Sequence, residues 1–264
     1  MKRLAQKKSL GQVFLSEDWP CRKMVEKLKD WNVVSVLEIG PGPGILTRHL
    51  LDQGIQVHAV EKDSRFADLL KEKKWDHCKV TEADILRFSL DDWLKENKGK
   101  RVAICGNIPY NISSPILQKI LEAQLPAILM VQLEFAQRVV APCNQKSYGS
   151  LSVYTQLRSR TQFEFHVPAT VFRPQPKVES AVFSVQPGTK YSPEVLKNVE
   201  IVSRKSFMQR RKTLSNSLSS FLQQGELQVK DSPIDLKRRC ETLSPDEFVI
   251  LTEFLLSGTK PHNP

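Results

Sequence analysis

A run of β-branched and aliphatic residues that stops at a glycine-rich turn constrains the fold of this chain more than any other feature. Residues 33–39 read Val-Val-Ser-Val-Leu-Glu-Ile, and the segment Gly40-Pro41-Gly42-Pro43-Gly44 follows directly. The run predicts a buried strand, and the glycines and prolines predict a tight turn at its end. Leucines at helical spacing between Ile45 and Asp52 then predict a helix.

The same alternation of strand and helix continues along the first half of the chain. Further strands are expected at 55–60, 78–81, 101–106 and 127–132, and further helices at 17–30, 66–74 and 113–122. Strands that alternate with helices favour a parallel sheet covered on both faces. We therefore expect an α/β fold with a doubly wound, mostly parallel sheet, and a ligand crevice outside the carboxyl ends of its strands.

The pattern changes near residue 188. Two more strands are expected at 150–157 and 179–185, whereas residues 193–256 show helical periodicity without a convincing strand. The segment Gln186-Pro187-Gly188 separates the two regions. The sequence therefore predicts a large α/β domain at 1–188 and a small all-helical domain at 189–264.

The charge of the chain is positive and unevenly distributed. Its 39 Lys and Arg residues exceed its 29 Asp and Glu residues, which gives a formal net charge of +10. The excess lies in residues 1–10, 136–190 and 203–212, where few acidic residues offset it. A basic excess favours an acidic partner, most often nucleic acid, although it also occurs where charge serves solubility alone.

Cysteine and histidine patterns exclude several classes of protein. The five cysteines are widely spaced, and neither a Cys-x-x-Cys pair nor a His-Glu-x-x-His pattern occurs. We therefore expect reduced thiols in a cytoplasmic protein, with no metal site and no disulfide framework. No apolar run approaches the roughly 18 residues of a membrane span, and the charged N-terminal residues do not resemble a secretory signal.

Three residues at successive strand ends predict a site for an adenosine-containing cofactor. Gly40 lies in the turn, where the lack of a Cβ lets the backbone approach a ligand. Glu61 ends the next strand and can accept hydrogen bonds from both ribose hydroxyls. Asp84 follows the third strand, where its carboxylate can accept from the exocyclic amine of a base or cap a helix. The alternative cofactor is a nicotinamide dinucleotide, but the glycine spacing differs from the Gly-x-Gly-x-x-Gly of its binders.

The segment Asn107-Ile108-Pro109-Tyr110 follows the fourth strand and is typical of enzymes that methylate exocyclic or amide-type nitrogens. An adenine amino group is a weak nucleophile because its lone pair is delocalised into the ring. The Asn107 side-chain oxygen and a backbone carbonyl at Ile108 or Pro109 can accept its two N–H groups and free that lone pair. Tyr110 offers a ring on which an unstacked base can lie. The alternative is a β-turn with a packed tyrosine.

These motifs resemble those of class I S-adenosylmethionine-dependent methyltransferases and, within that group, the small-subunit ribosomal RNA adenine dimethyltransferases. Six further segments are similar to signatures of that family. They are Gly11–Leu15, Gln132–Arg138, Tyr148–Val153, Phe172–Ser180, Arg210–Leu214 and Leu243–Phe248. The resemblance covers nearly the whole chain, with the segments in the family's order.

The resemblance implies a Rossmann-like catalytic domain at 1–188 that binds S-adenosylmethionine, and a helical rRNA-binding domain at 189–264. Such an enzyme transfers methyl groups to the N6 amino groups of two adjacent adenines in the 3′-terminal hairpin of small-subunit rRNA. The products are N6-dimethyladenosines, made during assembly of the small subunit. We expect a cytoplasmic monomer that uses no metal and has the immature small subunit as its partner.

Site residues follow from the resemblance position by position. The catalytic residues are Asn107, Pro109, Tyr110 and Phe172. The cofactor contacts are Val13, Leu15, Gly40, Glu61, Asp84 and Asn107. Phe172 is expected to stack on the face of the adenine opposite Tyr110. Val13 replaces the asparagine that is usual in the family, so we expect its contact to run through the backbone. Arg210, Arg211 and Lys212 are expected to contact RNA phosphates, or else to form a solvated helix face.

Two alternatives remain open from the sequence. A large-subunit rRNA adenine methylase shares the cofactor site, the Asn-x-Pro-Tyr segment and the Phe-x-Pro-x-Pro segment, although Arg210–Leu214 and Leu243–Phe248 favour the small-subunit enzyme. A non-catalytic assembly or transcription factor could use the same fold, although the intact Asn107–Tyr110 segment favours an active site.

Overall fold

The structure is a computed structural model that describes residues 14–257. Contacts between residues divide this range into two units. The first unit holds residues 14–136 and 162–187, and the second holds residues 137–161 and 188–257. No helix within the described range is long and apolar enough to cross a membrane.

Strands and helices alternate through the first unit, and helices dominate the second. The strands are β1 (Phe14–Leu15), β2 (Ser35–Ile39), β3 (Gln56–Glu61), β4 (Cys78–Glu82), β5 (Val102–Asn107), β6 (Ala127–Gln132), β7 (Ser159–Val167), β8 (Phe172–Arg173) and β9 (Ser180–Pro187). The helices are α1 (Trp19–Asp30), α2 (Ile45–Asp52), α3 (Ser64–Glu72), α4 (Leu90–Glu96), α5 (Ser113–Glu122), α6 (Leu133–Val140), α7 (Ser150–Gln156), α8 (Pro193–Met208), α9 (Leu214–Ser217), α10 (Ser219–Gln224) and α11 (Pro245–Ser257).

A seven-stranded sheet with the order β4-β3-β2-β5-β6-β9-β7 is the main feature of the first unit. Parallel pairing joins β4, β3, β2, β5 and β6, whereas β9 pairs antiparallel with β6. From β2 the chain adds β3 and β4 on one side and then returns to add β5 and β6 on the other. The neighbouring ends of β2 and β5 therefore form a topological switch point, where open α/β sheets bind ligands. The predicted α/β class with a mostly parallel sheet is confirmed.

Apolar residues on the central strands and on α1 explain why the sheet is covered. All five residues of β2 are buried, as are residues 103–106 of β5. On α1, Met24 and Leu28 lie one turn apart on the buried face, while charged residues occupy the exposed face. Both side chains belong to one core cluster with Val36. Burial of each such side chain stabilises the fold by about 1.5–3 kcal/mol.

Gly106 permits the close approach of β5 to β2 at the switch point. It pairs with Ile39, and a Cβ added to Gly106 would lie 2.4 Å from the carbonyl oxygen of Ile39. Because the obstructing atom belongs to the backbone of a buried strand, it cannot move aside as a side chain could. A larger residue at this position would push the two strands apart.

The second unit has an apolar core of its own. Helices α8 and α11 contribute Val199, Val202, Leu251 and Leu255 to it. The tyrosine ring of Tyr148 is fully buried in the same cluster, and its hydroxyl donates to the carbonyl of Leu243 at 2.8 Å. Residues 193–257 form helices and turns, in agreement with their helical periodicity.

The predicted strand at 150–157 is wrong, because these residues form α7 and the next strand begins only at Ser159. The β-branched and aromatic side chains of this segment favour a strand. Hydroxyl groups nevertheless support the helix, since Ser152 Oγ accepts from the Gly149 N–H at 3.1 Å and Thr155 Oγ1 donates to the Leu151 carbonyl at 2.9 Å. Helical spacing also places Val153 and Leu157 together in the core of the second unit.

The position of α7 also bears on the predicted domain boundary. The predicted boundary puts residues 1–188 in one domain, and contacts do separate the chain at Gly188. However, residues 137–161 group with the C-terminal helices. The reason is that the buried side chains of α7 pack with those of α8 and α11 in one apolar cluster.

We expect Gly106→Ala to destabilise the first unit by about 3 kcal/mol, because the added methyl group would force β5 away from β2. Gly54→Ala is the matched control, since Gly54 has a φ of 73° but nothing lies within 4 Å of an added Cβ. Its cost is limited to left-handed backbone strain of roughly 1 kcal/mol. All four tryptophans belong to the first unit, so urea unfolding followed by tryptophan fluorescence measures this unit. Equal unfolding midpoints for the two variants would contradict the close approach.

Candidate active site

A crevice of about 240 Å³ lies at the carboxyl ends of β2, β3, β4 and β5. Each of these strand ends contributes a residue that the sequence analysis selected. The lining includes Gly40, Glu61, Asp84, Asn107 and Tyr110. The sheet topology therefore brings together side chains that are widely separated along the chain, at the switch point where a ligand is expected.

The turn after β2 has a left-handed backbone at its glycines. Gly42 and Gly44 have φ values of 54° and 85°, which side chains with a Cβ rarely adopt. A Cβ on Gly42 would lie 2.9 Å from the ring of Phe14, and one on Gly44 would lie 2.6 Å from Leu70. The turn is thus packed tightly against Phe14 and Leu70 at these two glycines, whereas a Cβ on Gly40 would meet only the Asn107 carbonyl oxygen, at 4.0 Å.

Glu61 holds the glycine turn in place through its carboxylate. Its Oε2 accepts from the Gly42 N–H at 3.0 Å, and its Oε1 accepts from the Asp63 N–H at 2.8 Å. Burial raises the pKa of this carboxyl, and the hydrogen bonds from the Asp63 and Gly42 backbone oppose that shift. Each carboxylate oxygen can accept a second hydrogen bond, so Glu61 can still accept from a ligand in the crevice.

Glu38 is a second buried carboxyl in the crevice, and the sequence analysis did not select it. It occupies the strand position two residues before Gly40, is 1% exposed, and accepts from Thr47 Oγ1 on α2 at 2.7 Å. Burial raises its pKa to about 8, and the nearby Glu61 adds to the increase. An acidic residue in an otherwise apolar strand, directly before a glycine turn, was the signal that could have identified it.

Asp84 is held at both carboxylate oxygens. Lys62, which also lines the crevice, donates to its Oδ2 at 2.8 Å, and the Leu86 N–H donates to its Oδ1 at 3.0 Å. The hydrogen bond from Lys62 is the main reason that the pKa of Asp84 lies below its ordinary value. Asp84 therefore begins a backbone turn, one of the roles expected from sequence, and also presents an ionised acceptor to the crevice.

The backbone carbonyls of Ile108 and Pro109, which the sequence left as alternative acceptors, have different hydrogen-bond partners in the segment after β5. The Pro109 carbonyl accepts from the Ile112 N–H at 3.1 Å and from Ser113 Oγ at 3.3 Å. It is therefore already used within the turn. The Ile108 N–H donates to the Met130 carbonyl of β6 at 2.9 Å, which ties the segment to the sheet. Of the two carbonyls, that of Ile108 is the better candidate to accept from a ligand.

Tyr110 lines the crevice and is held through its hydroxyl. The Tyr110 hydroxyl oxygen lies 2.8 Å from the hydroxyl oxygen of Ser180, which is fully buried at the start of β9. Burial raises the pKa of Tyr110 above its ordinary value. The ring is half-buried, so part of it faces the crevice while the hydroxyl bond limits its rotation.

The structure does not bring Phe172 into the crevice. Its side chain is fully buried in the apolar core of the first unit, and a ring without exposed surface offers no face to a base. Phe172 instead pairs across the short β1–β8 ladder with Leu15, and Leu15 does line the crevice as expected. Val13, the remaining expected cofactor contact, lies outside the described residues.

Arg210 has a structural contact set that its place in a basic cluster did not reveal. Its guanidinium donates to the carbonyls of Lys146, Tyr148 and Gln145 at 2.9, 2.8 and 3.1 Å. All four residues belong to the second unit. Three hydrogen bonds thus tie Arg210 to a loop of that unit, and its expected contact with phosphate stays a prediction. Arg211 and Lys212 are exposed.

The remaining candidate ligands form no further centre. Within residues 14–257, no group of three or more His, Cys, Asp or Glu side chains is placed to hold a metal ion. The five cysteines are free thiols, and Cys21, Cys105 and Cys240 are buried. Burial raises the pKa of Cys240 to about 12, so this thiol is not reactive near neutral pH.

Comparisons with known proteins agree with the family resemblance of the motifs. The profile of the family "Ribosomal RNA adenine dimethylase" matches residues 3–256. The protein named Ribosomal RNA small subunit methyltransferase A from Francisella tularensis subsp. novicida (strain U112) is 40% identical over 257 residues, which cover 94% of this chain and 97% of that protein. The protein of the same name from strain FSC 198 of Francisella tularensis subsp. tularensis is 39% identical over the same shares.

Two solved structures are similar over almost the full length of the chain. A dimethyladenosine transferase from Plasmodium falciparum has a TM-score of 0.73 at 22% identity, over 93% of this chain and 98% of that one. The 23S rRNA methyltransferase ErmE has a TM-score of 0.65 at 27% identity, over 92% of this chain and 99% of that one. A family match that runs through both units, and a relative 40% identical along almost the whole chain, confirm the expectation from the motifs: this chain belongs to the ribosomal RNA adenine dimethylase family.

Proposed function

We propose that this methyltransferase uses S-adenosylmethionine to dimethylate the N6 amino groups of two adjacent adenines in the 3′-terminal hairpin of small-subunit rRNA. The immature small subunit in the cytoplasm is the proposed substrate. The observation that carries the proposal is the meeting of the Asn107–Tyr110 segment with Gly40, Glu61 and Asp84 in one crevice. The chain is 40% identical to a small-subunit enzyme and 27% identical to a large-subunit one, and this difference supports small-subunit rRNA as the substrate.

The crevice fits an adenosyl sulfonium compound in its shape and its donor set. Gly40 leaves space where a side chain would stand, and the carboxyls of Glu38 and Glu61 are buried in the lining. Buried carboxyls are stabilised by a positively charged ligand. Glu61 would hold the ribose hydroxyls, Asp84 the exocyclic amine, and Leu15 would pack against the ligand. When bound, S-adenosylmethionine supplies an electrophilic methyl group.

The residues after β5 supply what the amino nitrogen needs. Asn107 Oδ1 and the Ile108 carbonyl oxygen are proposed to accept its two N–H groups, which favours a tetrahedral nitrogen and localises the lone pair on that atom. Pro109 fixes the backbone φ between Ile108 and Tyr110 and removes one backbone N–H from the segment. No strong base is required, because the nitrogen becomes acidic once it is alkylated. Positioning of the nitrogen therefore provides most of the catalysis.

Tyr110 is proposed to orient the target base by stacking. Its hydroxyl bond to Ser180 fixes the ring before a base arrives, which lowers the entropic cost of binding. Phe172 is proposed as the second stacking partner, and because its ring is buried in this structure, that role requires a shift of β8 when RNA binds. The base itself must leave any helical stack to reach this crevice.

RNA binding is proposed to involve the exposed basic residues of the second unit. Arg211 and Lys212 are exposed shortly after α8, whose last residue, Met208, has 81% of its surface exposed. An exposed apolar side chain a few residues from two exposed cations can lie against a base or ribose while the cations bind phosphates. Arg210 is proposed to hold this segment in position through its hydrogen bonds to the 145–148 loop.

The decisive experiment on substrate and product is a methylation assay. Unmethylated small subunits are incubated with the protein and cofactor labelled on its methyl group, and the modified positions are then mapped by primer extension. Two adjacent stops in the 3′-terminal hairpin are expected. Stops in large-subunit RNA would overturn the proposal in favour of the alternative methylase.

Asn107→Ala is expected to lower the rate of methyl transfer by roughly a hundredfold or more, because one of the two acceptors for the amino group is lost. The affinity for RNA should stay nearly unchanged, since phosphate contacts lie elsewhere. Single-turnover rates and filter binding on the same subunits measure the two quantities. A variant with parental activity would contradict the assigned role.

Cofactor affinity is expected to rise with pH up to about 8. Below that value the Glu38 carboxyl is protonated in the free protein, since burial raises its pKa to about 8. A cationic ligand favours the carboxylate, so binding must displace this proton, and the cost disappears once the pH exceeds the pKa. Glu38→Gln keeps an acceptor for Thr47 but cannot titrate. Calorimetric titration of both proteins across this range should show the added pH dependence in the parent alone, and identical profiles would exclude it.

The double variant Arg211→Glu and Lys212→Glu should weaken RNA binding and reduce the slope of log K against log salt by about 0.7–0.9 per lost phosphate contact. Lys230→Glu with Lys237→Glu is the control, since these exposed lysines of the second unit change the net charge equally.

Arg210→Ala should instead destabilise the second unit by about 2 kcal/mol, through the loss of its bonds to three carbonyls. Unchanged stability of Arg210→Ala in calorimetric unfolding would contradict that distinction.

A further inference from the structure

The turn that carries Asp84 is a single helical turn. The N–H groups of Arg87 and Phe88 donate to the Asp84 carbonyl at 2.9 and 3.0 Å, and the Leu86 N–H donates to Asp84 Oδ1 at 3.0 Å. Asp84 thus caps the start of the turn with its own side chain. The position of its carboxylate in the crevice depends on whether this turn keeps its shape.

Lys119 donates hydrogen bonds to carbonyls at the other end of the same turn. Its ammonium group, on α5, donates to the carbonyl of Phe88 at 2.6 Å and to that of Leu86 at 3.1 Å. Carbonyls at the end of a helical turn lack partners within the turn, and a cation there is favourable. Lys119 is half-buried, and burial lowers its pKa while Asp84 and Asp91 oppose that shift.

The element that carries Lys119 also matters. Helix α5 begins at Ser113, directly after the turn Tyr110–Ile112, so it is continuous with the segment proposed to hold the target amine. The turn of Asp84 follows β4, which is separated from β5 in the sheet by two strands, β3 and β2. Lys119 therefore links the proposed cofactor side of the crevice to the proposed catalytic side.

Asp84 is an ionised acceptor, and this determines what kind of base it can bind. Lys62 bonds its Oδ2 and keeps its pKa low, so near neutral pH the carboxylate has lone pairs but no proton to donate. Such a group favours a 6-amino purine, which donates, over a 6-oxo purine, which presents an acceptor. The discrimination is strong only when the carboxylate is held in one position.

We propose that Lys119 is a positioning residue that fixes the Asp84 turn, and thereby sets the preference of the site for an adenosyl over an inosyl cofactor. The inference rests on the proposed function, since it assumes that the base of the cofactor lies at Asp84. Lys119 touches neither cofactor nor substrate in this scheme. Its effect is transmitted through the carbonyls of Leu86 and Phe88.

The test compares the affinities of the full chain for S-adenosylhomocysteine and for its deaminated analogue, S-inosylhomocysteine, by calorimetric titration. Lys119→Met removes the charge but keeps the apolar stem, and Lys119→Arg keeps donors for both carbonyls. Lys95→Met is the matched control, because Lys95 is an exposed lysine on α4 that pairs with Asp92 and does not line the crevice. Lys119→Gln is measured alongside, so the result does not depend on the folding of one variant.

The parent and Lys95→Met are expected to prefer the adenosyl ligand by about tenfold or more. In Lys119→Met and Lys119→Gln this ratio should fall toward one, and Lys119→Arg should restore it. An unchanged ratio in the Met and Gln variants, or a general loss of affinity at constant ratio, would overturn the positioning role.

The same titrations separate this inference from the proposed function. Asp84→Ala should also abolish the preference between the two ligands. If the parent binds neither ligand, or if Asp84→Ala keeps the preference, the proposed cofactor site is wrong and the role of Lys119 fails with it. If the parent and Asp84→Ala behave as expected but Lys119→Met and Lys119→Gln match the parent, only the positioning role fails.

Discussion

Glu61 accepts hydrogen bonds from the backbone of Gly42 and of Asp63, and the crevice takes its shape from this one buried carboxylate. The Gly42 N–H donates to this carboxylate, so the glycine turn is tied to the end of β3 as well as packed against Phe14 and Leu70. The same carboxylate leaves lone pairs for a ligand. The group expected to bind ribose is thus also the group that positions the turn beneath the cofactor. A substitution of Glu61 would therefore alter the turn and the ligand contact together.

Several cations that add to the positive charge of the chain support the structure. Lys73 donates to the Pro43 carbonyl at 2.8 Å, Lys62 bonds Asp84, and Lys119 holds two carbonyls of the turn that follows. Arg210 does the same for a loop of the second unit. In each case a long side chain reaches backbone or carboxylate oxygens that the local fold leaves unsatisfied. Net charge alone consequently overstates how many basic residues remain for RNA.

Much of the fold and of the crevice could be predicted from the sequence, because strand ends carry their own signals. A buried apolar run that stops at glycine, glutamate or asparagine marks the same edge of a parallel sheet each time, so Gly40, Glu61, Asp84 and Asn107 were expected to meet. The prediction for residues 150–157 was wrong because their β-branched side chains favour a strand, whereas packing with α8 and α11 selects a helix. The burial of Phe172 could not be predicted either, since a motif gives the residue type but not whether its ring is buried.

The sequence by itself determined the α/β class, the family and the residues at the strand ends. Periodicity and motif order can be read from the chain alone, because they do not depend on how the side chains pack. Only the tertiary structure decided that the Pro109 carbonyl is already used while that of Ile108 is the better acceptor, that Glu38 is a buried carboxyl of the crevice, and that Arg210 bonds a loop. The physical reason is common to all three. Burial and hydrogen-bond partners come from residues distant in the chain, so the availability of a group becomes known only when its neighbours are in place.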